Sequence, residues 1–421
     1  MGQQTTDISL RSWVTVPSGS DFPIQNLPYG IFKTANLSPR AGVAIGEQIL
    51  DLSVLFTGGF LANCALPSEN VFAAETLNGF IALGKPVWTA VRNRLTELLS
   101  ETNDEIRTVE NILVNQSEAQ MLLPVSVPDY TDFYSSAEHA SNVGKMFRPD
   151  QPPLLPNWKH MPIGYHGRAS SIYVSGTDFH RPKGQMKPPT AEAPTYGPSK
   201  QLDIELEMAF IVGKPNELGT SVSTSVAEDH IFGMVLFNDY SARDIQSWEY
   251  VPLGPFLGKN FFSSVSPWIV TLDALSPFRV KGPEQDVEIL DYLKFEGDKN
   301  FDIQLDVLLK PEGGAETLIC RSNHKHLYWN IAQQLAHHTV NGCNMRVGDM
   351  CASGTISAPE QTGFGSLLEL SWRGNKPMAL ADGAQRTFLE DNDTITIKGY
   401  CEKEGLRIGF GSVSNKVLPA T

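Results

Sequence analysis

The sequence has 421 residues, with 33 Lys and Arg against 47 Asp and Glu, giving a formal charge of −14. So acidic a chain lacks the clustered cations that nucleic acid or an anionic membrane surface would demand. Its length exceeds what one hydrophobic core usually serves, and a 41% hydrophobic content is enough to pack two.

Cys64, Cys320, Cys343, Cys351 and Cys401 are odd in number and scattered, so neither a disulfide framework nor a zinc site is expected. A reducing, cytoplasmic setting is. No apolar run reaches membrane-spanning length, and the start Met1-Gly2-Gln3-Gln4 is too polar for a secretory signal. Met1-Gly2 with Thr6 fits a myristoylation pattern but lacks the second signal that stable anchoring requires, so it is read as chance.

In chain order, the first segment reads as a small β domain. Ile31-Phe32, Val43-Ala44-Ile45 and Ile49-Leu50-Asp51-Leu52 are strand candidates, with a turn at Gly46-Glu47. Pro86 suits a first helical position, and Trp88, Val91, Leu95, Leu98 and Leu99 recur at helical spacing as a core stripe. Polar residues then dilute the pattern, and a boundary is set there, giving domains 1–121 and 122–421.

The stretch Asp129-Tyr130-Thr131-Asp132-Phe133-Tyr134-Ser135-Ser136-Ala137-Glu138-His139 packs carboxylates, phenols and an imidazole into one short span. If extended, it sends Asp132 and Tyr134 to one side. Ser136 offers an N-cap, which puts His139 in the first turn of a helix burying Val143, Met146 and Phe147. An ordinary loop-to-helix junction accounts for the same residues. Residues 149–162 are proline-dense and irregular, Ile172-Tyr173-Val174 is a strand, and 183–198 is a further Pro- and Gly-rich loop.

Leu202-Asp203-Ile204-Glu205-Leu206-Glu207-Met208 alternates as a half-buried strand does. Its carboxylates share the face opposite the core, about 6.6 to 7 Å apart, from which two can reach one cation. Taken by themselves, these residues favour a solvated sheet face. Residues 233–238 read as a strand; after it, Asp239, Arg243, Gln246 and Tyr250 fall on one face of a helix, as a site or a surface ion pair. Gly254-Pro255-Phe256-Leu257-Gly258-Lys259 is one residue short of a phosphate loop and lacks its Ser or Thr.

Residues 329–339 form a helix with Ala332, Leu335, Ala336 and Thr339 inward and Gly342 as its stop, leaving His337 and His338 on its surface. Residues 351–357 and 364–370 are strand-like, and 394–398 is a strand. No Gly-x-Ser-x-Gly, His-Glu-x-x-His or Gly-x-Gly-x-x-Gly occurs, so serine hydrolases, zinc proteases and dinucleotide enzymes lose their usual support.

The run from Asp129 to Ser136, followed by His139 and Asn142-Val143-Gly144, resembles the signature of the fumarylacetoacetase family. Stretches 202–208, 237–250, 252–259 and 354–370 resemble the same family, and the likeness spans nearly the whole chain. The resemblance implies a mainly β (α+β) architecture: a small N-terminal SH3-like barrel and a large C-terminal mixed β-roll domain, assembled as a homodimer. It implies hydrolysis of the carbon-carbon bond of 4-fumarylacetoacetate, a dianionic diketo acid, to fumarate and acetoacetate, the last step of tyrosine and phenylalanine catabolism. An acylpyruvate hydrolase or a decarboxylase or hydratase of the same superfamily is the alternative, and a non-catalytic calcium-binding scaffold a more distant one.

By match of motif, His139 paired with Glu369 activates water, and Arg243, Gln246 and Lys259 are the oxyanion-stabilising donors. Tyr134, Arg148, Gln246, Tyr250 and Thr355 match substrate-contacting positions. Asp132, Glu205, Glu207 and Asp239 form an oxygen-rich set that suits calcium or magnesium rather than zinc. The family's second, magnesium site maps to Asp239 with Lys259 and Ser263. Ser263 stands where the family pattern has Thr, and Tyr240 where it has Trp; the hydroxyl and the aromatic ring are kept.

Overall fold

The computed structural model describes residues 5–421. The myristoylation pattern, which begins at Met1 and Gly2, lies outside the described residues. A five-stranded antiparallel half-barrel forms the N-terminal unit, in the order Leu113–Asn115, Gln48–Asp51, Arg40–Ile45, Tyr29–Lys33, Gln120–Leu122. Gly46 turns the hairpin between Arg40–Ile45 and Gln48–Asp51 with φ of 54°, a left-handed conformation that glycine adopts without a Cβ penalty. The helix Lys85–Leu99 carries Pro86 in its first turn and buries Trp88, Val91, Leu95, Leu98 and Leu99.

The remainder is built on a mixed eight-stranded sheet. Its spatial order is Gly164–His166, Tyr130–Phe133, Met350–Ala352, Leu206–Val212, Ile231–Asp239, Ser263–Val265, Ile172–Val174, with Val270–Thr271 paired to Ile231–Asp239. A second, five-stranded sheet includes the long hairpin of Thr394–Lys403 and Leu406–Leu418.

Leu206–Val212 shows why the expected half-buried strand is not half-buried. Leu206, Met208, Phe210 and Val212 join a core that also holds Leu305, Val307, Ile395 and Ile397 of the second sheet. Ala209 and Ile211, on the other face, join Ile31, Val43, Leu95 and other N-terminal residues. Both faces are therefore covered, and Glu207 on this strand, with Glu205 just ahead of it, sits inside protein rather than in water.

Several local expectations are also corrected. Residues 183–198 are not simply a loop: Lys183–Met186 and Thr195–Pro198 pair as an antiparallel hairpin. Asp239 ends its strand instead of opening the helix, which runs Arg243–Glu249. Leu367–Leu370 is a helical turn, not a strand. Phe147, expected inside, is 41% exposed and lies under the Arg373 guanidinium. His338 is half-buried and its Nε2 lies 2.8 Å from Thr131 Oγ1, so it is not free on the helix surface.

Candidate active site and metal centre

Ser136 caps the helix Ala137–Phe147 through its side-chain oxygen, which accepts from the His139 backbone N–H at 3.2 Å. This fixes His139 in the first turn. Its Nδ1 lies 2.7 Å from Oε2 of Glu369, and both side chains are buried. With Nδ1 turned to the carboxylate, Nε2 is left to accept a proton.

Glu369 belongs to a four-residue helical turn capped by Ser366, whose Oγ also lies 2.8 Å from Glu369 Oε2. Asn142 donates to Oε1 at 2.9 Å, and Ser357 Oγ lies 3.0 and 2.9 Å from the two oxygens. Burial alone would raise this carboxyl; the His139 ring and these hydrogen bonds outweigh it and hold Glu369 below the usual value. A carboxylate kept ionised in the interior both orients an imidazole and steadies it once protonated.

Beside this pair, Asp132, Glu205, Glu207 and Asp239 each offer an oxygen, and the four atoms lie within 4.8 Å of one another. All four side chains are buried. Asp132 comes from Tyr130–Phe133, Glu207 from Leu206–Val212 and Asp239 from Ile231–Asp239, so sheet pairing brings residues distant in sequence to one point. Glu205 stands just ahead of Leu206–Val212.

Burial, and then the charge of the neighbouring carboxylates, push Asp132 and Glu207 well above the ordinary range. Oδ1 of Asp132 and Oε1 of Glu207 have no hydrogen-bond partner. Burying unpaired oxygens of this kind is costly, and a divalent cation is the simplest group that would satisfy them together. The donors are all oxygens, which fits a hard ion. Among the described residues, the cluster therefore fits a metal ion by burial, donor chemistry and orphaned atoms alike.

Three polar groups close the cluster on other sides. Lys259 reaches both Glu205 and Asp239, the latter at 2.7 Å, while Ser263 Oγ donates to Asp239 Oδ1 at 2.7 Å. Arg243 Nη1 lies 2.8 Å from Glu205 Oε1 and donates to Gln246 at 3.1 Å, leaving Nη2 unpartnered. Burial opposes the charge of Glu205, yet Lys259 and Arg243 prevail and hold it far below the usual carboxylate value.

Tyr134 stands with its ring centroid 5.4 Å from that of His139, nearly perpendicular. Its phenol is pushed up by burial first and then by Glu369 and Glu205, against the opposing pull of Arg243 and Arg148. Arg148 Nε and Thr355 Oγ1 are buried without partners. Tyr250 follows the helix Arg243–Glu249 and is 51% exposed, unlike the buried residues of the cluster. A separate cavity of about 470 Å³, lined in part by Phe22, Met121 and Trp268, has no ionisable side chain in its lining and offers no base.

Asn142, Ser357 and Ser366 are functional neighbours that sequence reasoning missed. Ser366 had a visible signal, since Ser366-Leu367-Leu368-Glu369 has the Ser-x-x-Glu spacing of a capping box. Tyr165, which the sequence singles out only as able to reach substrate, donates its hydroxyl to Asp239 at 3.3 Å.

Residues 25–124 match the family described as Fumarylacetoacetase N-terminal, and residues 130–418 match Fumarylacetoacetate (FAA) hydrolase C-terminal. The fumarylacetoacetase of Rattus norvegicus is 54% identical over 97% of this chain and 99% of its own. That of Caenorhabditis elegans is 55% identical over 98% and 100%, and that of Arabidopsis thaliana 50% identical over 98% and 99%. Among solved structures, a fumarylacetoacetate hydrolase from Exiguobacterium antarcticum shares the fold with a TM-score of 0.54 at 17% identity, over 93% of this chain and 99% of that one. Both parts match in order and nearly end to end, and so the chain belongs to the fumarylacetoacetase family.

Proposed function

We infer that this protein hydrolyses the carbon-carbon bond of 4-fumarylacetoacetate, yielding fumarate and acetoacetate at the end of tyrosine and phenylalanine catabolism. The observation that carries the reading is the His139–Glu369 pair standing beside four converging carboxylates, in a chain about half identical to fumarylacetoacetases along its whole length.

The chemistry has two difficult moments: water must add to the carbonyl next to the fumaryl double bond, and a carbanion must then leave. In this reading His139 Nε2 takes the proton from water while Glu369 stabilises the imidazolium through Nδ1. Arg243, Gln246 and Lys259 supply donors toward the oxygen on which charge develops; such a donor is typically worth about 3 kcal/mol. The carbon-carbon bond then breaks with its electron pair passing to the acetoacetate fragment as an enolate, which takes its proton back from the His139 imidazolium. Arg148, Tyr134, Thr355 and Tyr250 would hold the carboxylate and ketone oxygens, in keeping with the unpartnered Arg148 Nε and Thr355 Oγ1.

Asp132, Glu205, Glu207 and Asp239 would hold calcium, and Asp239, Lys259 through its backbone carbonyl and Ser263 a neighbouring magnesium. A bound divalent cation supplies Lewis acidity, which lowers the energy of negative charge on oxygen.

Further parts of the proposal are a division into units 1–121 and 122–421, a homodimer and a cytoplasmic setting. Support for the last comes from five free cysteines and from the lack, among the described residues, of any helix long and apolar enough to cross a membrane. The dimer is checked by a solution mass of twice the 46.3 kDa chain. The activity is checked by assaying fumarylacetoacetate beside an acylpyruvate: turnover preferring the first supports the reading, and turnover of the acylpyruvate alone contradicts it.

A further inference from the structure

Asp203 is wholly buried, and its one carboxylate meets four donors drawn from three parts of the chain. Oδ1 accepts from the backbone N–H of Ile204 at 2.8 Å and of Leu367 at 2.7 Å. Oδ2 accepts from Leu368 N–H at 3.1 Å and from Arg243 Nε at 2.8 Å. Two of these donors open the helical turn Leu367–Leu370, and that turn carries Glu369.

A turn of four residues cannot hold itself, because the nucleus costs more than its internal hydrogen bonds return, and its first N–H groups have no partner within it. Ser366 takes the Glu369 N–H. Asp203 takes the Leu367 and Leu368 N–H groups. Glu369 is therefore held in register with His139 largely from outside its own turn.

The other partner of Asp203 is the guanidinium. Nε faces Asp203 and Nη1 faces Glu205 and Gln246, which leaves Nη2 as the edge without a partner. A planar fork pinned at two corners has only one way to present the third. The same carboxylate thus sets the position of the turn behind the imidazole and the direction in which Arg243 offers its free donors.

We propose that Asp203 is a positioning residue that ties the base side of the site to its oxyanion side, keeping the Glu369 turn and the Arg243 guanidinium in one fixed relation. This rests on the reading of His139 and Glu369 as the base pair. Asp203 does not itself touch substrate. Its sequence setting gives no hint of the role, since in the alternating run 202–208 it looks like a third member of the face that carries Glu205 and Glu207.

The test is a double-mutant cycle on the metal-loaded enzyme with D203N, E369Q and the pair, with bound metal per subunit measured for each. D203N keeps the shape of the side chain but replaces one acceptor with a donor and removes the charge. The expected result is a kcat about a hundredfold lower in D203N with KM within about threefold and metal content unchanged, since small misplacements of catalytic groups cost about that much. The double variant is expected to fall short of the product of the two single losses by about tenfold or more.

A D203N kcat within about threefold of the parent, or single losses that multiply in the pair, would overturn the proposal. If E369Q alone leaves kcat unchanged, it is the base-pair reading that fails. Should D203N not fold, R243K withdraws one partner and leaves Asp203 in place. The proton on His139 Nδ1, followed by NMR, is then expected to shift, and an unmoved resonance would overturn the proposal.

Discussion

Nδ1 of His139 lies 2.7 Å from Oε2 of Glu369 although 230 positions of sequence separate them. Neither side chain has solvent to stabilise its charge, and Asn142, Ser357 and Ser366 take that part for the carboxylate. His139→Ala is expected to lower kcat by about 10²–10⁴-fold with little change in KM, the usual reach of general-base catalysis. Glu369→Gln should produce a loss of similar kind, and Asn142→Ala a smaller one. Steady-state kinetics on fumarylacetoacetate check all three, and wild-type turnover in His139→Ala would remove the base from this account.

Removing bound metal with a chelator is expected to abolish turnover and lower the Tm together. The reason is local: Asp132 and Glu207 keep unpartnered buried oxygens, and four carboxylates within 4.8 Å repel one another when ionised. Adding calcium or magnesium back should restore both quantities. Activity that survives exhaustive chelation at an unchanged Tm would show that the cluster holds no ion of consequence.

Gly144 lies on the His139 helix where a β-carbon would sit 1.9 Å from the Pro153 carbonyl oxygen. That same oxygen accepts from Arg148 Nη2 at 3.1 Å. Gly144→Ala must therefore push the proline-dense segment away and release Arg148 from its seat. KM is expected to rise by about tenfold or more, the kcat effect being smaller, because Arg148 is assigned to holding a substrate carboxylate. Unaltered kinetics would argue that the segment moves without consequence for the site.

His324 is 1% exposed and neither ring nitrogen reaches a hydrogen-bond partner. Burial pulls its pKa down to about 4, offset only in part by the nearby Phe301 backbone. A free histidine titrates near 6.5, so at intermediate pH it is the unfolded chain that binds the extra proton. Stability is thus greatest above about pH 6.5 and falls as the pH drops toward about 4, by about 3 kcal/mol in total. His324→Leu should flatten the pH dependence of the unfolding free energy in that window, measured with urea; a slope equal to wild type would contradict the assignment.

Much of the architecture could be read from local pattern, and the reasons differ by element. The helix Lys85–Leu99 was legible because a single apolar stripe faces a single core. The helix read as 329–339 was legible for the same reason, although it starts at Ile331 because Asn330 caps it. The run 202–208 misled because period-two alternation tells which residues share a face, not what covers it; here the polar face meets Arg243, Lys259, Gly354 and Leu367–Leu370 instead of water. Leu367–Leu370 read as a strand because three leucines in four residues carry no period; the turn is held by the Ser366 cap and by Asp203, far upstream.

The site divides in the same way. Asp132, Glu205, Glu207 and Asp239 could be gathered by chemistry and family likeness, and sheet pairing brings their oxygens together. Asn142 and Ser357 could not be chosen from sequence, since small polar residues are common and only the folded chain aims them at Glu369. Asp239 was placed on a helix with Arg243 because the strand's end and the helix's start are only a few residues apart.

Convergence of four distant carboxylates on one ion is the claim on which the rest stands, and diffraction from crystals grown with manganese, recorded at its absorption edge, tests it most directly. The account predicts one strong anomalous peak bonded to oxygens of Asp132, Glu205, Glu207 and Asp239 together. A map with no peak among them, or a peak held by only one or two of the four, would contradict it.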